Sequence, residues 1–573
     1  MHRIITGLTS FTLLVWTGTS HAQIAFGLGG IQADSGHSVE VDGAGNTYVT
    51  GIFRQTVDFD PGPAVAELTV TSNTFFLASY APGGAFRYVV PISGMSSTLA
   101  ETGLEVDGSG NAYVAGSFSG LVDFDPGADV FNLSSANGNL FLASYDANGA
   151  FRFAFNIGVG APFFEAGKRL AVTDDGDIFL TGEFSGVTDF DPGDDEFLLE
   201  SNGINDIFLA GYTTGGGFRF AIGVGSELRD RGLAIAIDDS RNAYLTGAFR
   251  STVDFEPGPG VTEATASGTN EDVFVASYTD GGALRYAFGL GSAAGEIGWG
   301  IDVDDAGNAF VTGEFGGTVD FDPDPGADAI ASAVGNSDIF VASYTTTGAH
   351  RFSFGLGAGN PDVGRAIVVD PLGNTHVTGF FRDGFDFDPG PDEITLLTTA
   401  IDSFVATYSN SGAFIDARIT RPLNTSSARA NDIALDPAGN PVILGTYSGT
   451  VDLDLGDGEQ STTTNGADDV FVTALIDDTD TDGDDIADRG DNCTLIANAD
   501  QRDTNDDGFG NACDPDLNND GVVNVVDLGA LRAVFFTNDA DADFNGDGVV
   551  NVVDLGVMRS FFFQPPGPSG VVP

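Results

Sequence analysis

The hexapeptide VDFDPG at residues 57–62 decides how this chain is read, because the chain writes it again and again. It returns as VDFDPG at 122–127 and as VDFEPG at 253–258, with looser copies VTDFDPG, VDFDPDPG, FDFDPG and VDLDLGDG. The first Asp of each copy is Asp58, Asp123, Asp189, Asp254, Asp320, Asp386 and Asp452, spaced by 65 or 66 residues. Two other motifs keep the same step. YVTG ends at Gly51, and its counterparts end at Gly116, Gly182, Gly247, Gly313, Gly379 and Gly445. FLASY recurs as FFLASY, LFLASY, IFLAGY, VFVASY, IFVASY, SFVATY and VFVTAL. A near-constant period over seven copies is the mark of a repeat architecture.

Each unit reads as strands. VEVDGAGNTYVTG holds two alternating runs about a Gly-Asn turn, and FFLASYAPGGAFRYVV holds two more about Pro82-Gly83-Gly84. Four strands and no helical period predict one blade of an all-β propeller. Six FLASY strands are followed by an aromatic strand such as FRFAF (151–155) or LRYAF (284–288). The seventh, 470–475, lacks one, whereas residues 24–30 carry an orphan copy, IAFGLGG. Pairing the two closes a seven-bladed ring and removes the exposed edges of an open array. An open β-solenoid is the alternative. DGAGNTYVTG (42–51) and copies such as DDAGNAFVTG (304–313) resemble the secreted bacterial β-propeller (SBBP) repeats over about three quarters of the chain. The resemblance implies the fold and leaves the function open, since propellers host many functions.

Within the acidic turn, alternation sets Val57 and Phe59 on one face and Asp58 and Asp60 on the other. Asp60-Pro61-Gly62 suits a turn, with Phe59 packed between blades. A second reading makes each turn a calcium site, although the motif offers two carboxylates where the ion takes six to eight oxygens. Catalytic signatures are absent: no nucleophile elbow, no HExxH and no phosphate loop. His37, His350 and His376 do not recur as histidines at one repeat position, and Trp299 departs from the pattern. The histidines are read as incidental, with a packing role for His376; Trp299 is read as a core residue, with stacking on a sugar as the alternative.

Composition narrows the partners. The 573 residues carry a formal net charge of -61, from 83 acidic and 22 basic side chains. Nucleic acid and anionic membranes need a basic face and are excluded as partners. The 42% hydrophobic content and 47 Phe exclude a disordered polyacid. Residues 1–22, MHRIITGLTSFTLLVWTGTSHA, read as a secretory signal peptide: a short basic start, an apolar run and a small-residue cleavage site. No later run is long and apolar enough to span a bilayer. The product is expected to be secreted or held at the extracellular surface, where Cys493 and Cys513, the two cysteines, are free to pair.

After the ring, expected over 23–476, the composition turns to Asp. Residues 477–514 resemble thrombospondin type-3 repeats, whose alternating Asp residues wrap calcium. The resemblance implies ligands Asp480, Asp482, Asp484, Asp488 and Asp491, and a second set of Asp503, Asn505, Asp507, Asn511 and Asp514. It also implies a Cys493–Cys513 disulfide. Residues 515–563 contain DLNNDGVVNVVD from Asp516 and DFNGDGVVNVVD from Asp543. Both have oxygen ligands at positions 1, 3, 5, 9 and 12 and Gly at 6, the order of an EF-hand loop. The first supplies Asp516, Asn518, Asp520, Asn524, Asp527 and the Val522 carbonyl. The second supplies Asp543, Asn545, Asp547, Asn551, Asp554 and the Val549 carbonyl. Helices are expected over 528–536 and 555–563. Two such loop–helix units resemble a type I dockerin domain. This implies Ca²⁺ as cofactor and docking to a cohesin-like module through Val525, Val526, Arg532, Val552, Val553 and Arg559. Residues 564–573 read as a flexible tail.

The function expected from sequence is a non-enzymatic recognition or scaffold propeller with a glycan or protein ligand on its face. The alternatives are a dockerin-bearing glycoside hydrolase or lyase of polysaccharide breakdown, and a surface adhesin.

Overall fold

The computed structural model describes residues 24–93, 102–127, 129–158, 169–324, 326, 329–398, 400–455, 459–475, 482, 484, 492–499, 501–505 and 509–567. The signal-peptide reading lies outside these residues. Among them, no helix is long and apolar enough to cross a membrane. The chain falls into two compact units that divide between residues 476 and 477.

The first unit is a ring of seven antiparallel sheets. Blade 1 runs Ser35–Val41, Thr47–Asp58, Glu67–Tyr80 and Phe86–Ile92, from axis to rim. The first strands of successive blades touch their neighbours all the way round, so they line the axis. The orphan strand closes the ring as expected. Ala25–Leu28 pairs antiparallel with Asp469–Ala474 of blade 7, with Ala25 opposite Thr473 and Leu28 opposite Val470.

The acidic turn adds something the four-strand reading lacked. Between the second and third strands it folds back as a short ribbon, such as Val187–Asp189 with Leu198–Glu200, or Thr252–Asp254 with Glu263–Thr265. In all seven copies Oδ1 of the first Asp accepts two backbone N–H groups. Asp58 takes those of Asp60 (3.1 Å) and Ala66 (2.8 Å), and Asp452 those of Asp454 and Gln460. The carboxylate is thus the clasp of the loop, satisfying donors that would otherwise need water. Phe59 is buried in an aromatic triad with Phe53 and Phe76, at centroid separations of 5.0–6.1 Å. The hydroxyl of the FLASY tyrosine donates to the carbonyl of that Phe: Tyr80 to Phe59 and Tyr408 to Phe387. Blade 7 has no such Tyr, and Thr473 donates to Leu453 instead.

Adjacent blades are stapled by arginine. Arg87 donates to Ser79 of its own blade and to the Ala147 carbonyl of the next; Arg285 and Arg351 repeat this on Thr346 and Asn410. Buried aspartates open the third strands: Asp206, Asp272, Asp338 and Asp469, with Asp402 at the equivalent place in blade 6. Glycine is obligatory opposite the first four, since a Cβ on Gly29 would lie 2.2 Å from the Asp469 carboxyl carbon, and those on Gly225, Gly291 and Gly357 would meet Asp206, Asp272 and Asp338 likewise.

In the second unit the helices are Val525–Ala533 and Val552–Ser560, three residues earlier than the sequence pattern placed them. The reason is capping. Asn524 and Asn551 are N-caps whose side chains accept from Val526 and Val553, and Asp527 and Asp554 return the bond to the cap N–H. Loop positions 10–12 are therefore the first helical turn. The halves are joined by main-chain bonds, Val550 with Phe536 and Thr537, and Val523 with Phe563 and Gln564. Cys493 and Cys513 are disulfide-bonded.

Candidate functional site

The site begins with the Gly of YVTG. In blade 1 a Cβ on Gly51 would lie 2.1 Å from the Ser35 carbonyl; on Gly247, Gly313, Gly379 and Gly445 the same clash recurs with Arg231, Ile297, Val363 and Arg429. That carbonyl sits so close because the axial strand bulges there. Pairing jumps from Gly36 to Ser38, Gly232 to Ala234, Gly298 to Gly300, Gly364 to Ala366 and Ala430 to Asp432. A bulge leaves one residue out of the ladder and re-aims its side chain. The five residues left out are His37, Leu233, Trp299, Arg365 and Asn431.

Four of these five line one cavity at the axis, of about 180 Å³, together with Ser38, Glu105, Asp302 and Asp432 and an aliphatic wall that includes Ile235, Ile301 and Ile367. This corrects the reading of His37 as incidental; Trp299 does pack as expected, 7% exposed in a small cluster with Leu233 and Val363, and also walls the cavity. His37 and Trp299 hold one register position, and the repeat varies that position while conserving the bulge beneath it. His376 does pack, at 6% exposure, bonded to Thr407 at 3.0 Å.

The polar groups are held tightly. His37 Nδ1 accepts the Thr102 N–H at 3.2 Å, Nε2 lies 3.0 Å from Ser35 Oγ, and burial pushes the imidazole down to about 4. The ring is therefore neutral at physiological pH. Asp432 accepts from Ser38 Oγ and the Val39 N–H, and Asn431 donates to the Gly36 carbonyl at 2.8 Å, so both also tie blade 7 to blade 1. Asp302 accepts the Val369 N–H at 2.8 Å. The Trp299 Nε1–H donates to Glu314, and the Arg365 guanidinium lies 4.5 Å from the Trp299 ring. No nucleophile–base pair is formed by these contacts. What the arrangement offers is a small cleft with acceptors, one imidazole, one indole and one guanidinium.

The sequence overlooked Glu105, Asp302, Arg365, Asn431 and Asp432. A signal was there: counted from His37, the equivalent sequence position falls at 102, 168, 233, 299, 365 and 431, in the same 65–66 step as the motifs. Variation at a fixed step within an otherwise regular repeat is the feature to look for.

The second unit places the loop residues as follows. Asp516 accepts the N–H groups of Asp520 and Gly521, and Asp543 those of Asp547 and Gly548. Asn518 and Asn545 donate to Asp520 and Asp547. The Val522 and Val549 carbonyls accept from Asn524 and Asn551, whose oxygens serve the caps instead of pointing free. Asp527 is fully buried with Oδ1 lacking any hydrogen-bond partner, and burial beside the Asp516 carboxylate pushes its acid upward. An orphaned carboxylate oxygen next to a second carboxylate is the chemistry that a hard cation relieves. Among the described residues, no three His, Cys, Asp or Glu side chains gather as a preformed metal centre.

Of the thrombospondin-like ligands, Asp480, Asp488, Asp491 and Asp507 lie outside the described residues. Asp484 accepts the Asn498 N–H, and Asp514 accepts that of Asp516. Asn511 bonds to Thr504 and to the Ala540 carbonyl, so its amide is a structural brace. Asp482, Asp503 and Asn505 are also described, the last bonded to Asn519. Val525, Val526, Val552 and Val553 are at least half exposed, and Arg532 and Arg559 close the two helices.

Comparison with known proteins adds to the fold alone. No family model matches the chain. An uncharacterized WD repeat-containing protein of Acanthamoeba polyphaga mimivirus is 24% identical over 293 residues, 45% of this chain. The match spans about a fifth of that relative's length (20%). Among solved structures, a PL25 ulvan lyase is 11% identical, covering 77% of this chain and 97% of its own at a TM-score of 0.34. The PQQ domain of a pyranose dehydrogenase from Coprinopsis cinerea is 10% identical, covering 78% and 95% at a TM-score of 0.31. A DUF4221 family member from Bacteroides vulgatus is 10% identical, covering 79% and 96% at 0.30. At such scores none of these carries an argument about activity.

Proposed function

We propose that the ring is a recognition module that binds a small polar ligand in the axial cavity. The observation that carries this is the bulge position. Five blades share the backbone device and each places a different side chain on it, which is how a symmetric scaffold makes one asymmetric site. The cavity residues are mostly engaged in bonds between blades, which favours binding over a proton-moving role.

The rest of the reading follows the sequence. The protein is exported, and its second unit binds Ca²⁺ through the loops beginning at Asp516 and Asp543. It docks to a cohesin-like module through the exposed Val525, Val526, Val552 and Val553 and the neighbouring Arg532 and Arg559. The orphaned Asp527 oxygen supports the calcium assignment, and the exposed valine pairs support the docking face.

The test of the main reading uses Trp299, the only Trp besides Trp16. Soluble sugars, sugar acids and peptides are titrated against the full secreted chain while its fluorescence is followed. A saturable change, abolished by Asn431→Leu without loss of the folded ring, supports the reading. Turnover of a polysaccharide lost with one acidic substitution in the cavity replaces it with the hydrolase or lyase reading. Attachment to cells without any cavity ligand replaces it with the adhesin.

A further inference from the structure

The chain is starved of positive charge, with 22 basic residues against 83 acidic ones, so each arginine without an acidic partner needs a reason. Arg87, Arg285 and Arg351 are blade staples; Arg229 pairs with Glu183 and Arg231 with Glu271. Two others stand apart. Arg365, on the bulge of blade 6, lies 4.5 Å from the ring of Trp299 in blade 5 and 5.8 Å from Phe380. Arg429 of blade 7, exposed and outside the cavity lining, lies 5.4 Å from the same Phe380. The result is a ladder across three blades: Trp299, Arg365, Phe380, Arg429. Among the described residues neither arginine has a carboxylate within ion-pair distance, and Nε and Nη1 of Arg365 are buried with no hydrogen-bond partner.

Aromatic faces compensate such a cation only in part. A cation–π contact returns only part of what withdrawing the Arg365 guanidinium from water without a counter-ion costs. A guanidinium left in this condition calls for a partner, and its place in the cavity wall lets an anion in the cavity supply the missing counter-charge. Farther along the axial strands the same cavity is walled by Glu105, Asp302 and Asp432. Asp302 follows Trp299 by three residues, roughly 10 Å at strand rise. Carboxylates accept hydrogen bonds and repel a second anion. The cavity is therefore cationic at one end and acceptor-rich at the other, and its volume suits a single ring better than a drug-sized ligand of roughly 300–1,000 Å³.

We infer that the axial cavity recognises a small polyhydroxylated acid, its oxyanion on Arg365 and its hydroxyls on the carboxylate wall. A monosaccharide uronic acid is the simplest such molecule, free or at the end of an acidic glycan. This rests on the ligand-binding reading of the cavity and goes further by fixing the charge of the ligand.

The experiment titrates the full chain with glucuronate, with glucose, which replaces the carboxylate by a neutral alcohol, and with glucosamine, following Trp299 fluorescence. Glucuronate is expected to bind at least tenfold more tightly than glucose, and glucosamine no better than glucose. Arg365→Gln is expected to erase the preference. Arg365→Lys keeps the charge and is expected to retain part of it, which guards against mere loss of packing. Equal binding of glucuronate and glucose by the unaltered chain overturns the inference and leaves the cavity reading standing. Undiminished glucuronate preference in Arg365→Gln also overturns it. Absence of any response to all three overturns both. An oligouronide that binds more tightly than glucuronate assigns the source to a glycan end; equal binding assigns it to the free acid.

Discussion

Asp402 offers the most quantitative test of how this ring is held together. It is 2% exposed, with Oδ1 accepting from Thr420 Oγ1. Burial raises its acid from 3.8 to about 8, more than the Thr420 and Ser403 bonds and the Arg421 charge lower it. In the unfolded chain the group ionises near 4. Folding near neutral pH therefore means taking up a proton, so the contribution of this residue to stability is full below pH 4 and is lost as pH rises through about 8. At about 1.4 kcal/mol per unit, the cost is about 1–2 kcal/mol at pH 5 and about 5 kcal/mol at pH 8. Asp402→Asn keeps the acceptor for Thr420 and has no proton to gain. The variant is expected to gain about 3 kcal/mol on the parent between pH 5 and pH 8, whatever constant offset its unpaired amide hydrogens add. Urea unfolding at pH 5, 6.5 and 8, at fixed ionic strength and followed by circular dichroism, measures that difference. A gap between parent and variant that is the same at all three pH values would refute the reasoning, because it would mean that Asp402 stays ionised in the fold. Asp206, Asp272, Asp338 and Asp362, raised to about 6, and Asp469, raised to about 7, act in the same direction. The parent ring is accordingly expected to be more stable at pH 5.5 than at pH 8.

Three further outcomes are expected. Gly29→Ala puts a Cβ onto the Asp469 carboxyl at the closing strand, and its melting temperature is expected to fall by several degrees; Gly43→Ala, where nothing lies within 4 Å, is the control and is expected to melt with the parent. Tyr408→Phe strands the buried Phe387 carbonyl, with an expected loss of about 1–3 kcal/mol in chemical denaturation. Calcium removal by a chelator is expected to abolish hydrogen-exchange protection in helices Val525–Ala533 and Val552–Ser560 and to leave the blade strands protected; protection unchanged in the helices would remove calcium from the account of this unit.

The sequence by itself determined the repeat, its strands and the closure of the ring. Those features are local or periodic: alternation shows in VEVDG and FLASY, turn chemistry in DPG, and the missing seventh partner in IAFGLGG. The acidic turn also yielded, since Asp58 and its copies bond to backbone two and eight or, at Asp320, nine residues away. The ribbon it starts was missed, because the return strands at 198–200 and 263–265 are three residues long and share no motif. Helix starts in the second unit were misplaced for a related reason: a cap is a geometry, and Asn524 reads equally as a ligand or as an N-cap until the backbone chooses. Only the tertiary structure decided the candidate site. His37, Trp299, Arg365 and Asn431 lie 66 residues or more apart along the chain. They meet because ring closure brings seven axial strands to one line and because, in each of their four blades, a bulge opposite the YVTG glycine turns one side chain out of the ladder. Strand periodicity of two predicts faces, not bulges, so no reading of alternation would have put these residues together.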